Sequence, residues 1–431
     1  MKFSTETLTK IVALLVADFA VQLEEATIPF TELEQGLRET LQSIGQESIG
    51  QMLTLKDQQT YGVQSECSCG EQARRISFRE AKTLSVFGWS AYRRSYYACE
   101  QCSCRWYALD DDENLRAGRA SAGMNRLLGL AGVTVSFEEA QRHIREYLLV
   151  DVSVNTIRAE TQRIGAMQSQ HEQKWLSQSQ DLDHLQRRER KPVNLERVYG
   201  SMDGAFVPLA EGWKEEKTVC WYKAGQRYGS EELHALDIHY YTSLQEATAF
   251  GELVWATGLH HHVDQARELV FVCDAAVWIW KIIEHYFPDA VQIVDWYHAC
   301  QRLYAVADVL VECTEKERFS WIEHIKDLLW EGEVSTVLQI LQALSQKYRN
   351  CEIIQDAITY YKNNQKRMDY AHFRKMGYFI GSGSVESACK QIVSLRLKRP
   401  GARWTKAGAC AVAKARAAWL SQQWDDLPWV A

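Results

Sequence analysis

The stretch Val198-Tyr199-Gly200-Ser201-Met202-Asp203-Gly204-Ala205 decides the fold of this chain. Its β-branched and aromatic residues predict a strand, and glycine follows the aspartate near the end of that strand. Because glycine lets a cation or a phosphate approach the backbone closely, Asp203 is a candidate ligand. The stretch Phe271-Val272-Cys273-Asp274 has the same arrangement, with an apolar strand ending at an aspartate. The two stretches predict neighbouring strands that present two carboxylates at one edge of a sheet.

The elements around these strands define the sheet. Five stretches predict strands: 198–205, 218–223, 233–241, 269–273 and 290–294. Two stretches predict helices between them: 244–257 and 277–286. Three sequential strands followed by βαβ units predict an α/β protein with a mixed sheet and helices on both faces, which is the RNase H-like order. Residues 299–370 predict an all-helical insertion before the final helix.

The length of 431 residues predicts two or three domains. Residues 1–60 predict helices with a break at 44–51; they form either a dimerisation or DNA-end-binding element or a plain helical hairpin. Charge-rich segments at 110–114 and 181–192 predict linkers. The predicted domains are an N-terminal helical region (1–60), a cysteine-containing ribbon (61–112), a helical region (113–192), the sheet domain (193–300 and 371–422) and its helical insertion (301–370).

Composition and charge limit the class of protein. The net charge of −7 gives no sign of a nucleic-acid partner, so any DNA contact requires local basic patches. The N-terminal apolar run at 11–16 is short and is followed by Asp18, which predicts an amphipathic helix rather than a signal peptide or a membrane span. We therefore expect a soluble, cytoplasmic protein without a membrane partner, in which cysteines stay reduced and clustered cysteines bind metal.

Two close cysteine pairs predict a structural zinc site. Cys67 and Cys69 form the first pair, and Cys99 and Cys102 form the second about thirty residues later. Each pair presents two thiolates to one tetrahedral ion, and the intervening segment predicts a β-hairpin, so the whole is a zinc ribbon. Cys104 competes as the fourth ligand, and unliganded buried cysteines are the alternative. Four thiolates leave the metal no open position, so we expect no catalysis there.

The helical region at 113–192 contains a candidate helix-turn-helix. Residues 137–147 predict one amphipathic helix, and Ser153 caps a second helix that begins near Asn155. Asn155 and Arg158 then lie at the start of a recognition helix, where side chains reach base edges. A small helical bundle without DNA contact is the open alternative.

A third carboxylate completes a candidate catalytic centre. Glu386, in Gly381-Ser382-Gly383-Ser384-Val385-Glu386, lies early on a predicted helix that packs beside the two strand ends. Asp203, Asp274 and Glu386 together suit two divalent ions about 4 Å apart, which activate a water or a 3′-hydroxyl and stabilise the leaving oxygen. Mg²⁺, or Mn²⁺, suits such oxygen ligands. The alternative for each aspartate alone is a turn or a cap.

Two histidine-containing segments are further candidates. In Asp295-Trp296-Tyr297-His298, the acid and the imidazole follow the last strand near the catalytic edge, so they contact the scissile phosphate or the end nucleotides, or hold the helical insertion. The run His260-His261-His262 resembles a metal cluster, but a loop after a helix is the favoured interpretation.

A basic segment follows Glu386 without an acidic residue before Asp425. We expect it to bind DNA phosphates, and Trp404 to stack on an unpaired base. A solvated helix face with a core tryptophan is the alternative. The basic residues are Lys390, Arg396, Lys398, Arg399, Arg403, Lys406, Lys414 and Arg416.

These motifs resemble the ISKra-type insertion-sequence transposases, in the Mutator-like group of DDE transposases. The resemblance covers about residues 65–420 and is carried by Met202-Asp203-Gly204-Ala205, Asp295-Trp296-Tyr297-His298, the Gly381–Glu386 motif, Arg396-Leu397-Lys398-Arg399-Pro400-Gly401-Ala402-Arg403-Trp404 and the second cysteine pair. It implies that Asp203, Asp274 and Glu386 are the catalytic triad, with Asp295 and His298 as the group's Asp-x-x-His motif. The family pattern usually has glycine after the second carboxylate, where this chain has Ala275.

The resemblance implies a prokaryotic, nucleoid-associated transposase. Such an enzyme binds the terminal inverted repeats of its element and target DNA, acts as a homo-oligomer, and uses Mg²⁺ to cleave and join strands. A DNA-binding regulator that kept the fold and lost the chemistry is the alternative. An RNase H-like nuclease acting on branched or hybrid nucleic acid is a third possibility.

Overall fold

A computed structural model describes residues 4–25, 28–188, 196–226, 233–310, 312–427 and 429. The chain divides into two compact units. The first contains residues 1–131, 138–154 and 428–431, and the second contains residues 132–137 and 155–427. The part of the predicted linker at 189–192 and the domain boundary at 192–193 lie outside the described residues.

Two helices and a four-stranded sheet form most of the first unit. Helices α1 (Thr5–Glu25) and α2 (Phe30–Thr60) precede an antiparallel sheet in sequential order. The strands are β1 (Gln64–Glu66), β2 (Gln72–Ser85), β3 (Gly88–Ala98) and β4 (Arg105–Trp106). The long β2–β3 hairpin is the one expected between the cysteine pairs.

Helix α2 runs without interruption through residues 44–51, so the predicted break is wrong. Gly50 does not end the helix but allows it to pack closely on the sheet. A Cβ added at Gly50 would lie 2.1 Å from the backbone oxygen of Ala91 in β3. The buried Asp57 carboxylate accepts hydrogen bonds from the Ser95 amide at 2.9 Å and the Ser95 hydroxyl at 2.6 Å. The helix is therefore fixed against the sheet by a backbone contact and a buried polar contact.

The prediction of a linker at residues 110–114 is also wrong for its first residues, which belong to a helix. Asp110 is buried in the short helix α3 (Ala108–Asp112), accepts a hydrogen bond from the Tyr92 hydroxyl at 2.9 Å, and pairs with Arg94. The charge-rich run does not itself show that its first acid has a basic partner, because that partner lies on β3. Beyond it, the described helices of the helical region are α4 (Ala122–Thr134), α5 (Phe137–Leu148), α6 (Val154–Gln180) and α7 (Leu182–Arg187).

A five-stranded mixed sheet forms the centre of the second unit. Its strands are β5 (Arg197–Leu209), β6 (Gly212–Gln226), β7 (Leu233–Ser243), β8 (Glu268–Cys273) and β9 (Val291–Val294). They lie in the order β7-β6-β5-β8-β9; β5, β6 and β7 are antiparallel, and β5, β8 and β9 are parallel. All five predicted strands are present, and the mixed α/β class is confirmed.

Helices and aromatic side chains surround this sheet. Trp221 in β6 packs against Phe271 in β8 and against Phe287, with ring centroids 5.7 and 5.8 Å apart. Gly200 leaves room for this cluster, because an added Cβ would lie 2.4 Å from the Phe271 ring. The helices are α8 (Ala247–His260), α9 (Val277–Tyr286), α10 (Trp296–Asp308), α11 (Glu315–Trp330), α12 (Val334–Lys347), α13 (Glu352–Asn364), α14 (Tyr370–Lys375), α15 (Gly383–Cys389) and α16 (Lys406–Leu420).

The histidine run His260-His261-His262 ends α8 and packs within the unit, as the favoured interpretation had it. The His261 ring lies 4.2 Å from the His239 ring and bonds the Tyr241 hydroxyl at 2.6 Å. The His260 ring stacks on Trp175 at 4.0 Å. Burial lowers the pKa of His260 to about 4, so the stack is uncharged at neutral pH.

None of the helices in the described ranges is long and apolar enough to cross a membrane.

Candidate functional site

Four cysteines come together in the first unit. Cys67, Cys69, Cys99 and Cys102 each place Sγ within 4.8 Å of the others. Cys67 Sγ lies 3.4 Å from Cys102 Sγ, and Cys69 Sγ lies 3.7 Å from Cys99 Sγ. Four thiolates at this spacing are the donor set of a structural zinc site, so the cluster is able to hold the predicted ion.

Tight turns bring the thiols of each pair together. In the first turn, the Gly70 amide donates to the Cys67 carbonyl at 2.8 Å, and Gly70 has a φ of 88°, which glycine adopts without strain. In the second turn, the Ser103 amide donates to the Cys99 carbonyl at 3.0 Å. Hydrogen bonds from the Cys69 backbone amide and the neighbouring thiols lower the pKa of Cys67 to about 6, whereas hydrogen bonds among the thiols raise the pKa values of Cys69 and Cys102. Without an ion, the thiolate is therefore favoured at Cys67 and not at all four cysteines.

The competing ligand Cys104 is not part of this group. Its carbonyl accepts the Cys99 amide at 2.9 Å, so its backbone helps to close the second turn. The structure therefore selects Cys102 as the fourth thiol.

Asp203 and Asp274 lie at the same level of the five-stranded sheet. Asp203 lies in the interior of β5 and not at its end as predicted, because β5 continues to Leu209 in a hairpin with β6. Asp274 directly follows β8. The last parallel pair is Gly200 with Phe271, and the Met202 amide then donates to Cys273 Sγ at 3.3 Å. The two aspartates therefore follow neighbouring backbone positions where the β5–β8 pairing ends.

The environment disfavours two charged carboxylates at this point. Burial raises the pKa of Asp203, and the charge of Asp274 raises it further. Burial also raises the pKa of Asp274, where Glu215 and Asp295 act in the same direction. A cation bound between the two carboxylates would offset this repulsion.

Asp295 and His298 occupy the first turn of α10. Asp295 caps the helix by accepting the His298 amide at 2.8 Å, and the same oxygen lies 3.0 Å from His298 Nδ1. Burial works to raise the pKa of Asp295, but hydrogen bonds from His298 and the Ser382 amide outweigh it and lower the pKa. The hydrogen bond to Asp295 raises the pKa of His298, and the charges of Asp274 and Glu386 add to this effect.

Glu386 lies on α15, with its carboxylate facing His298. His298 Nδ1 is 3.7 Å from Glu386 Oε1, and the Ser382 hydroxyl donates to that oxygen at 2.9 Å. The thiol of Cys389, on the same short helix, hydrogen-bonds Asp203. Helix α15 therefore contacts both the first turn of α10, through Glu386 and Ser382, and Asp203 on β5, through Cys389.

His298 is the common neighbour of the acidic residues. It interacts electrostatically with Asp203, Asp274, Asp295 and Glu386. Of these residues, Asp295, His298 and Glu386 form a compact metal-capable group, with ligand atoms within 4.8 Å of one another. The predicted triad of Asp203, Asp274 and Glu386 lies in the same region, but its three carboxylates are not all within 4.8 Å of one another.

The basic segment after Glu386 is divided between surface and core. Lys390, Lys398, Arg403 and Lys406 are exposed, and Arg399 is half-buried. Arg396, Lys414 and Arg416 are buried. The expectation that the basic segment binds DNA phosphates therefore does not hold for the three buried residues and stays a prediction for the others.

Arg396 and Trp404 are the clearest departures from that expectation. Arg396 is 2% exposed; its Nε donates to the Gly132 carbonyl at 2.8 Å, and its guanidinium lies over the rings of Phe137 and Trp404. Trp404 is 9% exposed and donates from Nε1 to the Leu397 carbonyl at 2.9 Å. Neither side chain is free to contact DNA in this structure, so the alternative of a core tryptophan is the correct one.

Asn155 and Arg158 are exposed in the first turn of α6. Arg158 Nη2 donates to Asn155 Oδ1 at 2.9 Å. Their exposure is compatible with a role at a surface.

Sequence reasoning missed three residues of the acidic region: Glu215, Ser382 and Cys389. A Cβ added at Gly204 would lie 2.2 Å from Glu215 Oε1, so this carboxylate fills the space over Gly204, the residue after Asp203. The signal for Glu215 was its place on the strand paired with β5, where it lies opposite Phe206. Ser382 belongs to the Glu386 motif, but the contact of its hydroxyl with Glu386 depends on the helix geometry.

The fold and these residues define a mixed α/β protein with a four-cysteine candidate metal site and an acidic cluster around one histidine, in which Asp295 is buried and Glu386 is exposed. The chain belongs to the Uncharacterised protein family (UPF0236), whose profile matches residues 23–429. No curated protein matches the sequence.

Proposed function

We propose that this protein is a DNA transposase of the DDE class, with an RNase H-like catalytic core. The observation that carries the proposal is that Asp203 and Asp274 lie where the pairing of β5 with β8 ends, close to the compact group of Asp295, His298 and Glu386. In the proposed reaction the protein cleaves DNA at the ends of its own element and joins the 3′-hydroxyl ends to target DNA. We also propose that, within this class, the protein is related to the ISKra-type insertion-sequence transposases.

The sheet order supports the RNase H-like assignment. The first three strands in sequence form an antiparallel meander, and two parallel strands follow beside the first one, giving β7-β6-β5-β8-β9. Asp203 lies on the first strand of this sheet and Asp274 follows the fourth, which is its neighbour. This is the order that the sequence predicts for such a fold.

Asp203 and Asp274 would hold the divalent ion, with Glu386 as the third carboxylate. Bound Mg²⁺ or Mn²⁺ would activate the attacking hydroxyl and stabilise the leaving oxygen. The chain itself orients these carboxylates: the Gly204 amide donates to Asp203 Oδ1 at 2.7 Å, and the Ala276 amide donates to Asp274 Oδ1 at 3.0 Å. These amides fix one oxygen of each aspartate.

His298 would hold a proton at Nδ1 and present a positive charge to a phosphodiester. The hydrogen bond to Asp295 fixes the ring, and the raised pKa of His298 favours the imidazolium form. Asp295 is then a positioning residue, because it acts through the imidazole and the Ser382 amide.

DNA contact is assigned to the exposed residues. Lys390, Lys398, Arg399 and Arg403 would neutralise phosphates near Glu386, since they lie on the exposed or half-buried part of the basic segment. Asn155 and Arg158 would contact the terminal repeats from the start of α6. The zinc ribbon would act as a structural element, and the assembly on two DNA ends would be a homo-oligomer.

A cleavage assay tests the proposal. The substrate is DNA taken from both sides of the coding sequence, which would contain the terminal inverted repeats. With Mg²⁺, Asp203→Asn and Asp274→Asn should each reduce strand cleavage about a thousandfold, because a ligand to the catalytic ions is lost. Asp289→Asn is the matched control, since Asp289 is exposed in the turn before β9.

Gel-shift binding to the same fragments separates chemistry from recognition. Both aspartate variants should bind DNA as the wild type does. If the wild-type protein binds the fragments but cuts none of them with Mg²⁺ or Mn²⁺, the regulator interpretation replaces the enzyme. If cleavage survives in Asp203→Asn, the catalytic assignment is wrong.

A further inference from the structure

A cleft begins at the residue after Asp274. It has a volume of about 490 Å³ and runs from Ala275 between α9, α10 and α13. A second cleft of about 560 Å³ continues from it, because the two share Glu284, Asn363 and Arg367 in their walls. We call the two together the α9–α13 groove. It leads away from the candidate active site along the surface of the second unit.

Two hydrogen-bond donors in the wall of this groove lack partners. Trp280 Nε1 and the Tyr360 hydroxyl are both buried, and neither has a hydrogen-bond partner among the described residues. A buried donor without a partner costs about 1–3 kcal/mol, so proteins rarely keep one without a reason. Ten side-chain atoms of the described residues are buried without a hydrogen-bond partner, and these two are the ones in the groove wall, where an acceptor-rich ligand would satisfy both.

The charge of the groove favours an anion. Its walls carry five basic side chains and two acidic ones, although the whole chain has a net charge of −7. Arg367 Nη2 pairs with Glu284 at 2.6 Å, which leaves four basic side chains and one acidic one outside this ion pair. Arg302 lies over the Tyr360 ring at 5.1 Å, beside one of the unpartnered donors. The other basic residues are Lys281, Lys362 and Lys366.

The remaining lining is suited to a nucleotide rather than to a simple ion. Thr359 and Asn363 add hydroxyl and amide groups, which can bond a base edge or a sugar as well as a phosphate. Continuous basic positions over both clefts match a backbone with repeated phosphates. The electrostatic influence of Asp274 and Asp295 on Tyr360 shows that the groove lies next to the acidic cluster.

We propose that the α9–α13 groove binds one strand of DNA and seats a nucleotide against Trp280 and Tyr360, with its phosphate at Arg302. This inference rests on the proposed function, because the strand that it places in the groove is the DNA next to the bond that the enzyme would cut. The groove then holds the strand in register with the metal-binding carboxylates.

Calorimetric titration with thymidine 3′,5′-bisphosphate tests the groove without any catalytic step. The buffer contains EDTA and 0.15 M NaCl, so metal binding does not contribute. Tyr360→Phe should weaken binding about fivefold and Arg302→Gln about tenfold, because a neutral and a charged hydrogen bond are lost. Tyr304→Phe is the control: Tyr304 lies on α10 near Arg302 but not in the groove wall.

Thermal unfolding distinguishes a binding role from a structural one. Because the Tyr360 hydroxyl has no partner in the free protein, Tyr360→Phe should leave Tm unchanged or raise it. A fall in Tm with unchanged nucleotide affinity would overturn the proposal. Equal binding of inorganic phosphate and the bisphosphate would also overturn it, since the site would then recognise an anion and not a nucleotide.

The groove and the proposed enzyme can fail independently. Nucleotide binding that depends on Tyr360 and Arg302, in a protein that cleaves no DNA, supports the groove and removes the transposase activity. Mg²⁺-dependent cleavage together with nucleotide binding insensitive to both substitutions removes the groove and leaves the enzyme.

Discussion

At the scale of single residues, the two cysteines at positions 102 and 104 are chemically identical and differ in geometry. Cys102 Sγ lies 3.4 Å from Cys67 Sγ, whereas Cys104 is outside the four-thiol group. Both are exposed, so solvent access does not separate them. Their substitutions form a matched pair.

Cys102→Ser should remove the bound metal and lower Tm, while Cys104→Ser should retain both. Three thiolates bind zinc more weakly than four, and binding free energy in such ribbons is also folding free energy. Metal content by mass spectrometry and unfolding by circular dichroism measure the two effects. Full metal content in Cys102→Ser, or its loss in Cys104→Ser, would reverse the ligand assignment.

The position of Asp274 was predictable from its own segment, because a strand followed by an acid is a local pattern. An aspartate after an apolar strand marks the sheet edge whatever the rest of the chain does, which is how Asp274 was found. Arg396 and Trp404 were assigned to DNA because their burial depends on distant partners. The carbonyl that Arg396 bonds belongs to Gly132, 264 positions away, and no local pattern contains that information.

At the scale of elements, helix α2 shows how a glycine can be misread. Gly50 was taken as part of a break, since glycine costs about 1 kcal/mol in a helix interior. In the structure it faces the backbone of β3, where no larger residue fits. The same helix contains Gly36, whose added Cβ would meet only the Phe19 ring at 3.6 Å or more.

Gly50→Ala should destabilise the protein by about 1–3 kcal/mol, because the added Cβ would overlap the Ala91 carbonyl and force the helix away from the sheet. Gly36→Ala is the control and should stabilise by up to about 1 kcal/mol through helix propensity. Urea denaturation measures both. A neutral Gly50→Ala would mean that α2 does not pack on β3 as closely as described.

The strands were predictable for a different reason. Their β-branched and aromatic runs specify extended structure locally, and helix α9 was predicted at its observed bounds, Val277–Tyr286. The extent of β5 was not predictable, because its last residues are strand only through pairing with β6. Asp203 was therefore placed at a strand end when it lies inside a hairpin.

At the scale of the whole molecule, the net charge conceals ionisable groups held inside the second unit. Lys414 on α16 pairs with Glu172 on α6, and both are buried. Glu216 on β6 is fully buried near this pair; one of its oxygens accepts the Thr242 hydroxyl at 2.6 Å, and the other has no hydrogen-bond partner among the described residues. The sequence showed these acids and bases but not which of them leave water.

Burial raises the pKa of Glu216 from its ordinary value of 4.5 to about 7. The folded protein therefore keeps a proton on Glu216 that the unfolded chain releases between pH 4.5 and 7. The stabilising contribution of this protonated group is complete below pH 4.5, decreases as pH rises through that interval, and is lost above pH 7. The difference of about 2.5 pKa units corresponds to about 3 kcal/mol over the whole interval.

Glu216→Gln removes this titration and keeps the shape of the side chain. The free energy of unfolding of the wild type, relative to that of the variant, should fall by about 3 kcal/mol between pH 4.5 and 8. His260 titrates in both proteins; because its pKa is lowered to about 4, it destabilises the fold on acidification and cancels in the difference. Urea denaturation at several pH values gives both curves. Parallel curves for the two proteins would show that Glu216 is ionised in the folded state, and that the charge of Lys414 outweighs the cost of burial.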